Sequence, residues 1–549
     1  MRPPDFKSLD TRDSSRASWI FRSARRLLLQ ISPPTSLFAL TMGAVIRQIW
    51  DRDAQELWIY VALIVGTLAI YLLKDQIRIY WTIFQLNGPP TVPLLGNVDC
   101  LLRKDILEVM SHTAYKDYGP VARFWVTLIP YVILLEPDDI QAVLGSAKHT
   151  SKIFVYRLLD NFLGKGLITS DVDTWRTHRR LLQPAFHLHV LQKFVGSFAE
   201  RADRLADRLA RYDNQQLDIT KFVNDAVYEI LNETVLGVNV ASTANEDGVV
   251  DLDDLPFRKG QVLMTHRLIR PWLIFDWIYK LTSTGQQEKK QSQDLSAACH
   301  RIIQEKRRLQ RDSSSLTKKT SLLEYMMETS ERNPEWFSDE DIINECCTFM
   351  LAGQDSVGTA TAMTLFLLAN HPDWQDKCRE ELDEIFAEGE TNRPPTMQDL
   401  RAMRWLECCI KEALRLYPSV PIFARKLGED VKVGKHVIPS GCGVIILPYS
   451  THRLPHHFPD PHSFRPERFS PENSEKRHPY AYLPFSAGPR NCIGNKFAIL
   501  EMKAVISAIL RRYRLGGVEG KTEVRPKFRL TVRASGGLWL KISQRVDAR

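Results

Sequence analysis

From Ser338 to Asn370 the chain reads as one helix about 50 Å long. Ser338 and Asp341 form a capping box at its start, and His371-Pro372 ends it. Apolar residues fill both halves: Ile342, Ile343, Phe349, Met350 and Leu351, then Val357, Met363, Leu365, Phe366 and Leu367. Such a helix belongs in the interior. Its middle is nevertheless polar, at Ala352-Gly353-Gln354-Asp355-Ser356. A glycine there costs about 1 kcal/mol against alanine, and a buried carboxylate costs more unless paired. Two readings stay open on the helix alone. One is a kinked structural helix with Asp355 in a salt bridge. The other is a ligand lying flat against Gly353, with a proton-handling pair beside it.

A chain of 549 residues exceeds one ordinary core, and length alone predicts about three domains. The composition excludes a disordered, collagen-like or disulfide-scaffold chain. Lys and Arg number 73 against 65 Asp and Glu, a net +8. That mild excess fits an acidic partner or anionic lipid, and no basic cluster suggests nucleic-acid binding. The nine cysteines include no CxxC and no zinc pattern, so reduced thiols facing the cytosol are expected.

The uncharged run from Leu57 to Leu73 spans about 25 Å, the short end of a membrane helix. Trp58 and Tyr60 at one end, with Tyr71, Tyr80 and Trp81 at the other, suit interfacial anchors. A break at Gly88, Pro89, Pro90 and Pro93 follows. The expected organisation is a basic leader over residues 1–56, an anchor over 57–73, a hinge over 74–98 and a domain over 99–549. In the leader, Arg16, Arg22, Arg25 and Arg26 resemble a mitochondrial presequence, whereas Asp5, Asp10 and Asp13 oppose that reading. A second uncharged stretch, Leu27 to Ile46, is interrupted by Pro33 and Pro34. Flanking charges do not decide the topology.

Val121 to Leu135 reads as a hairpin, Asp173 to Leu191 as a helix until Pro184, and Lys432 to Leu447 as short strands. Lys377 to Phe386 and Leu406 to Leu416 read as helices, Ala241 to Asp254 as an acidic loop, and Lys289 to Lys319 as a solvated basic helix fading into serines. Gly516 to Thr522 nearly spells a phosphate loop, but the first glycine is misplaced and no strand feeds it. Asn232-Glu233-Thr234 is a glycosylation pattern.

Phe485-Ser486-Ala487-Gly488-Pro489-Arg490-Asn491-Cys492-Ile493-Gly494 is a Gly- and Pro-rich loop before an apolar helix. It holds Cys492 near a helix N-terminus, where backbone N–H groups favour a thiolate. A rigid thiolate with Arg490 close by suits a metal ligand whose metal carries an anionic group.

The spacing FxxGxRxCxG, complete here, resembles the haem loop of the cytochrome P-450 family, the haem-thiolate monooxygenases. Other motifs follow in the family's order: Trp175 and Arg179, the Ala352 to Ser356 stretch, Glu412 and Arg415, and Pro466-Glu467-Arg468-Phe469. The resemblance implies one large, mostly α domain with a smaller β region, behind an N-terminal membrane anchor. It implies Cys492 as the axial thiolate ligand of haem iron, which favours O–O cleavage. Trp175, Arg179, Arg425 and Arg490 would hold the propionates, with Ala352, Gly353 and Phe485 against the cofactor. Glu412, Arg415 and Arg468 would form an internal ion network. Asp355 and Ser356 would relay protons. Electrons would come from NADPH through a reductase, with cytochrome b5 a further donor, docking on Arg176, Arg180, Lys411 and Lys496.

Several stretches resemble the family-4 branch, insect members above all: Trp175 to His187, Leu414 to Arg425 and Tyr480 to Ala498. The implied substrates are fatty-acid-like, hormone-like or xenobiotic lipophiles. Two departures stand out. Ala352 occupies the position where many family-4 enzymes have a glutamate esterified to haem, and Leu454 replaces an aspartate. The implied location is the endoplasmic-reticulum membrane with a cytosolic catalytic domain; a mitochondrial location is the alternative. A haem-thiolate isomerase or dehydratase, and a haem-binding sensor or carrier, are the rival functions.

Overall fold

The structure, a computed structural model, describes residues 54–97, 100, 107, 114–239, 256–268, 270–312, 321–387 and 393–545. Nearly all of the basic leader, the acidic loop and the serine linker lie outside them. The chain divides into two compact units, residues up to Ile77 and Arg78–Arg549.

The helix α1 (Ala54–Phe84) carries the uncharged run. Its Leu63, Leu68, Ile70 and Leu72 are exposed. Among the described residues no helix is long and apolar enough to cross a membrane. In the second unit, Ile79 and Ile83 at the end of α1 are buried in a cluster with Val132, Leu134 and Val444. The Pro-rich stretch after it lies along a strand rather than standing free. The Arg123 N–H donates to Asn87 O at 2.7 Å, and the Asn97 N–H to Trp125 O at 2.8 Å.

The helices that place the site are α2 (Pro137–Leu144), α3 (Val172–Leu182), α4 (Val195–Leu209), α5 (Ile219–Leu231), α6 (Asp339–Asn370), α7 (Arg404–Leu416) and α8 (Asn495–Arg512). The long helix α6 begins and ends as expected. The Asp341 N–H donates to Ser338 Oγ at 3.2 Å, and the Ser338 N–H donates back to the Asp341 carboxylate at 2.8 Å. The two glycines Gly353 and Gly358 let α5 approach. A Cβ at Gly353 would lie 2.8 Å from Leu231, and one at Gly358 would lie 2.4 Å from Asn224 Oδ1. The close approach at Gly353 is therefore to a helix, where the sequence reading placed a flat ligand.

The strands are β1 (Val121–Val126), β2 (Ile129–Leu134), β3 (Gln216–Asp218), β4 (Phe423–Lys426), β5 (Val431–Val433), β6 (His436–Ile438), β7 (Gly443–Ile446), β8 (Tyr513–Gly517), β9 (Pro526–Phe528), β10 (Val532–Ala534) and β11 (Trp539–Gln544). The largest sheet runs β1-β2-β7-β4, with β2 and β7 parallel. Pro130 pairs with Trp125 on β1 and precedes the first residue of β2 paired to β7, so its missing N–H breaks no ladder on that side. A second sheet runs β3-β11-β8. The result is a mostly helical body with a minor β component, as expected. The glycosylation pattern is sterically closed: Asn232 is buried, and its amide donates to Tyr228 O at 2.8 Å.

Candidate active site

The cysteine loop is closed by its own backbone. The Cys492 N–H donates to Phe485 O at 2.9 Å, and the Asn491 N–H to Gly488 O at 3.2 Å. Gly488 sits at φ 73°, and a Cβ there would lie 1.7 Å from Leu144 O at the end of α2. Only glycine fits both demands. Ser486 also has a positive φ, 59°.

Among the described residues Cys492 is the one exposed cysteine; Cys100 is half-buried and the rest are buried. Burial nevertheless pushes the Cys492 thiol up, against the lowering pull of the Gly494 N–H and the Arg179 guanidinium. Cys492 is thus exposed, although burial dominates the shift of its thiol. The helix N-terminus by itself does not outweigh that burial. On α6, Ala352 is likewise exposed in an otherwise buried stretch.

The four expected propionate donors divide into two roles. Arg179 is engaged with the loop and with the end of its own helix. Its Nη1 and Nη2 donate to Asn491 O at 2.7 Å and Asn491 Oδ1 at 2.8 Å, and its Nε donates to Gln183 at 2.7 Å. It therefore fixes the residue before Cys492 with three of its five N–H groups. Trp175 is buried beneath the Arg490 guanidinium, 5.0 Å from ring centre to Cζ.

Arg490 and Arg425 fit the expected role better. Arg490 donates to Thr150 O and Ser170 O at 2.7 Å each, and its buried Nε has no partner. Arg425 donates to Arg490 O at 3.2 Å and Ser486 Oγ at 3.4 Å. Lys152, which sequence reasoning missed, joins them, its Nζ 4.1 Å from the Tyr156 ring centre. Burial, then Arg425 and Arg490, push the Lys152 ammonium well down. Burial and Arg425 push Arg490 down to about 10, and Asp171 is the weakest influence on it. Two guanidiniums thus converge beside a lysine amine that burial and both of them push toward its neutral form, with little negative charge to balance them. A paired dianion such as two haem propionates satisfies that deficit. With the exposed Cys492, these residues fit a haem. Nothing in the local sequence distinguishes Lys152 from a surface lysine.

Asp355 is held from behind. Its two oxygens accept from the Thr531 hydroxyl and the Arg533 guanidinium on and beside β10. This is the salt-bridge reading of the polar break, and the cost of burying a carboxylate explains it. Ser356, half-buried, donates its hydroxyl to Ala352 O at 2.6 Å, and its own carbonyl accepts from Ser419 Oγ at 2.8 Å. The two residues expected to share proton transfer are thus engaged with different partners. A buried His178–Glu345 contact of 2.7 Å ties α3 to α6, and the second Glu345 oxygen accepts from the Leu167 N–H at 3.2 Å.

Behind the loop the ion network is complete. Arg415 forms a bidentate pair with Glu412 at 2.7 and 2.8 Å, both side chains fully buried. It also donates to His452 O, Pro461 O and Ser463 O at 3.0, 2.7 and 3.1 Å. Arg468 lies 3.4 Å from Glu412, and the Arg465 N–H donates to the same carboxylate at 2.8 Å. Burial, then Arg415 and Arg453, push His452 down to about 3. Its neutral ring accepts from the Leu483 N–H at 2.7 Å, two residues before the cysteine loop begins.

Comparison with known proteins agrees with this geometry. The cytochrome P450 family model matches residues 86–539. "Probable cytochrome P450 4aa1" of Drosophila melanogaster is 49% identical over 506 residues, covering 91% of this chain and 98% of that protein. "Cytochrome P450 4V2" of Mus musculus is 37% identical, covering 80% of this chain and 85% of that one. "Cytochrome P450 4c3" of Drosophila melanogaster is 35% identical, covering 88% and 94%. The chain belongs to the cytochrome P450 family, in its family-4, insect-like branch, and is an oxidoreductase of the monooxygenase class.

Proposed function

We propose that the protein inserts one oxygen atom from O2 into a lipophilic substrate, fatty-acid-like, hormone-like or xenobiotic. NADPH electrons arrive through a reductase. The observation that carries this reading is the exposed Cys492 in a loop closed by its own backbone hydrogen bonds. A bound haem supplies the oxygen-activating chemistry. Cys492 is its ligand, and Arg425, Arg490 and Lys152 hold its carboxylates. Trp175 stacks beneath Arg490, and Arg179 keeps Asn491, and so the loop, in place. Ala352 and Phe485 lie against the cofactor, and Gly353 contributes by letting α5 close on α6.

Proton handling centres on Ser356. Its hydroxyl donates to Ala352 O and keeps acceptor capacity for a water. Asp355 acts through its contacts to Thr531 and Arg533, holding the middle of α6 in position. Arg176, Arg180 and Lys496 are exposed; α3 turns Arg179 toward the loop while presenting Arg176 and Arg180 outward, and Lys496 stands at the start of α8. This supports reductase docking there; Lys411 is drawn to Glu407 at 2.7 Å. The exposed apolar residues of α1, with exposed Trp272, Phe275 and Trp277, support attachment to the endoplasmic-reticulum membrane. Cleavage of an Arg-rich leader on import would support mitochondria instead.

Reconstitution with NADPH-cytochrome reductase and a panel of lipophiles tests the function. At least one lipophile should stimulate NADPH consumption and gain one oxygen atom by mass. Failure of every member to do so favours a sensor or carrier, and conversion without NADPH favours an isomerase. In the same assay, Ser356→Ala should keep its haem but divert NADPH into peroxide, lowering product per NADPH by roughly tenfold, about 1.4 kcal/mol in partitioning. Equal coupling in both proteins removes Ser356 from the proton path.

Haem should come away without a covalent link. Ala352 offers an inert methyl, and the nearby Glu345 is buried against His178. Acid–organic extraction should leave an apoprotein of unmodified mass. A mass that includes haem contradicts the placement of Ala352.

A further inference from the structure

A second group of ligating side chains lies apart from the cysteine loop. Glu136 stands between β2 and α2, while His456 and His457 lie in the turn after Arg453. Glu136 Oε2 is 3.2 Å from His456 Nε2 and 3.8 Å from His457 Nε2. The three ligand atoms all lie within 4.8 Å of one another. Bonds of about 2.0–2.1 Å in a tetrahedral zinc site separate ligand atoms by roughly 3.3 Å. The Glu136–His456 pair already has that separation. The other distances close by small rotations, and His456, with 48% of its side chain exposed, is free to make one.

The surroundings favour a metal over a simple ion pair. The Tyr115 hydroxyl donates to Glu136 Oε1 at 2.6 Å, so the carboxylate is aimed with Oε2 toward the histidines. The two imidazole rings lie 4.4 Å apart, side by side at the same carboxylate. Two nitrogens and one carboxylate are a poor set for magnesium or calcium, which want oxygen, and a good set for a borderline ion.

We propose that Glu136, His456 and His457 bind one zinc ion, with water completing its shell. The ion joins the start of α2 to the turn after Arg453. The far end of α2 meets the cysteine loop at Leu144 O and Gly488, so the metal braces the loop's outer wall.

The test uses purified full-length holoprotein, stripped with a chelator and titrated with Zn2+ alone. Bound metal is counted by elemental analysis, and binding is followed by calorimetry. One zinc per chain is expected, with a rise in thermal midpoint. His456→Ala should weaken binding by at least about tenfold. The His456→Ala/His457→Ala double variant should lose this zinc altogether, and both should keep the parent's CO-difference spectrum. Unchanged stoichiometry and affinity in the double variant overturns the assignment. So does failure of the parent to take up zinc at about 1 mM.

Discussion

Replacement of Cys492 by serine should abolish the strongly red-shifted Soret band of the reduced, CO-bound protein. Monooxygenase turnover should fall on the order of 10³-fold or more, about 4 kcal/mol or more in the barrier. The loop itself should survive, because its closing bond runs from the backbone N–H of residue 492 to Phe485 O. Serine keeps the size but lacks a soft thiolate. No other cysteine is placed to substitute. Cys346 and Cys347, on α6, are both buried, whereas Cys492 is exposed. Retention of the band in Cys492→Ser would identify another ligand and displace the loop from the centre of the site.

Arg415→Ala should cost about 3–5 kcal/mol of stability, because it leaves the Glu412 carboxylate buried and uncompensated. The same change frees three backbone carbonyls that Arg415 now satisfies. The expected outcome is little soluble holoprotein and a lowered denaturation midpoint. Arg415→Lys should rescue only partly. A lysine brings one ammonium where a planar fork now makes two parallel bonds to Glu412. Full stability in Arg415→Lys would show that charge alone suffices and that the fork geometry is incidental.

These two residues also mark what local sequence can show. Cys492 and the Glu412–Arg415 pair each lie within one short stretch whose spacing and order are distinctive. The helix α6 was legible from its capping box at Ser338 and its His371-Pro372 stop. The β1–β2 hairpin was legible from its apolar composition. What local pattern could not show was pairing across long separations. Thr531 and Arg533 are unremarkable residues beside and in a short strand, so the salt-bridge reading of Asp355 lacks a named partner in the sequence. Lys152 gains its meaning only beside Arg425 and Arg490. The pairing of β3 with β11 joins residues near 217 to residues near 540, where no turn signal announces it. At Gly353 a glycine signals close approach without saying by what, and the neighbour a Cβ would meet there is Leu231.

The grip of β10 on the middle of α6 has a consequence for how the protein is made. Arg533 follows Asp355 by 178 residues. At about 5–20 residues per second, a ribosome takes roughly 9–36 s to cover that interval. During that time a carboxylate destined for the interior has been synthesised without its counter-ion. A premature stop codon after Cys492 but before Thr531 would leave the entire cysteine loop intact and still remove the clamp. Late nonsense and frameshift alleles of this gene should therefore behave as nulls, although every signature motif remains encoded.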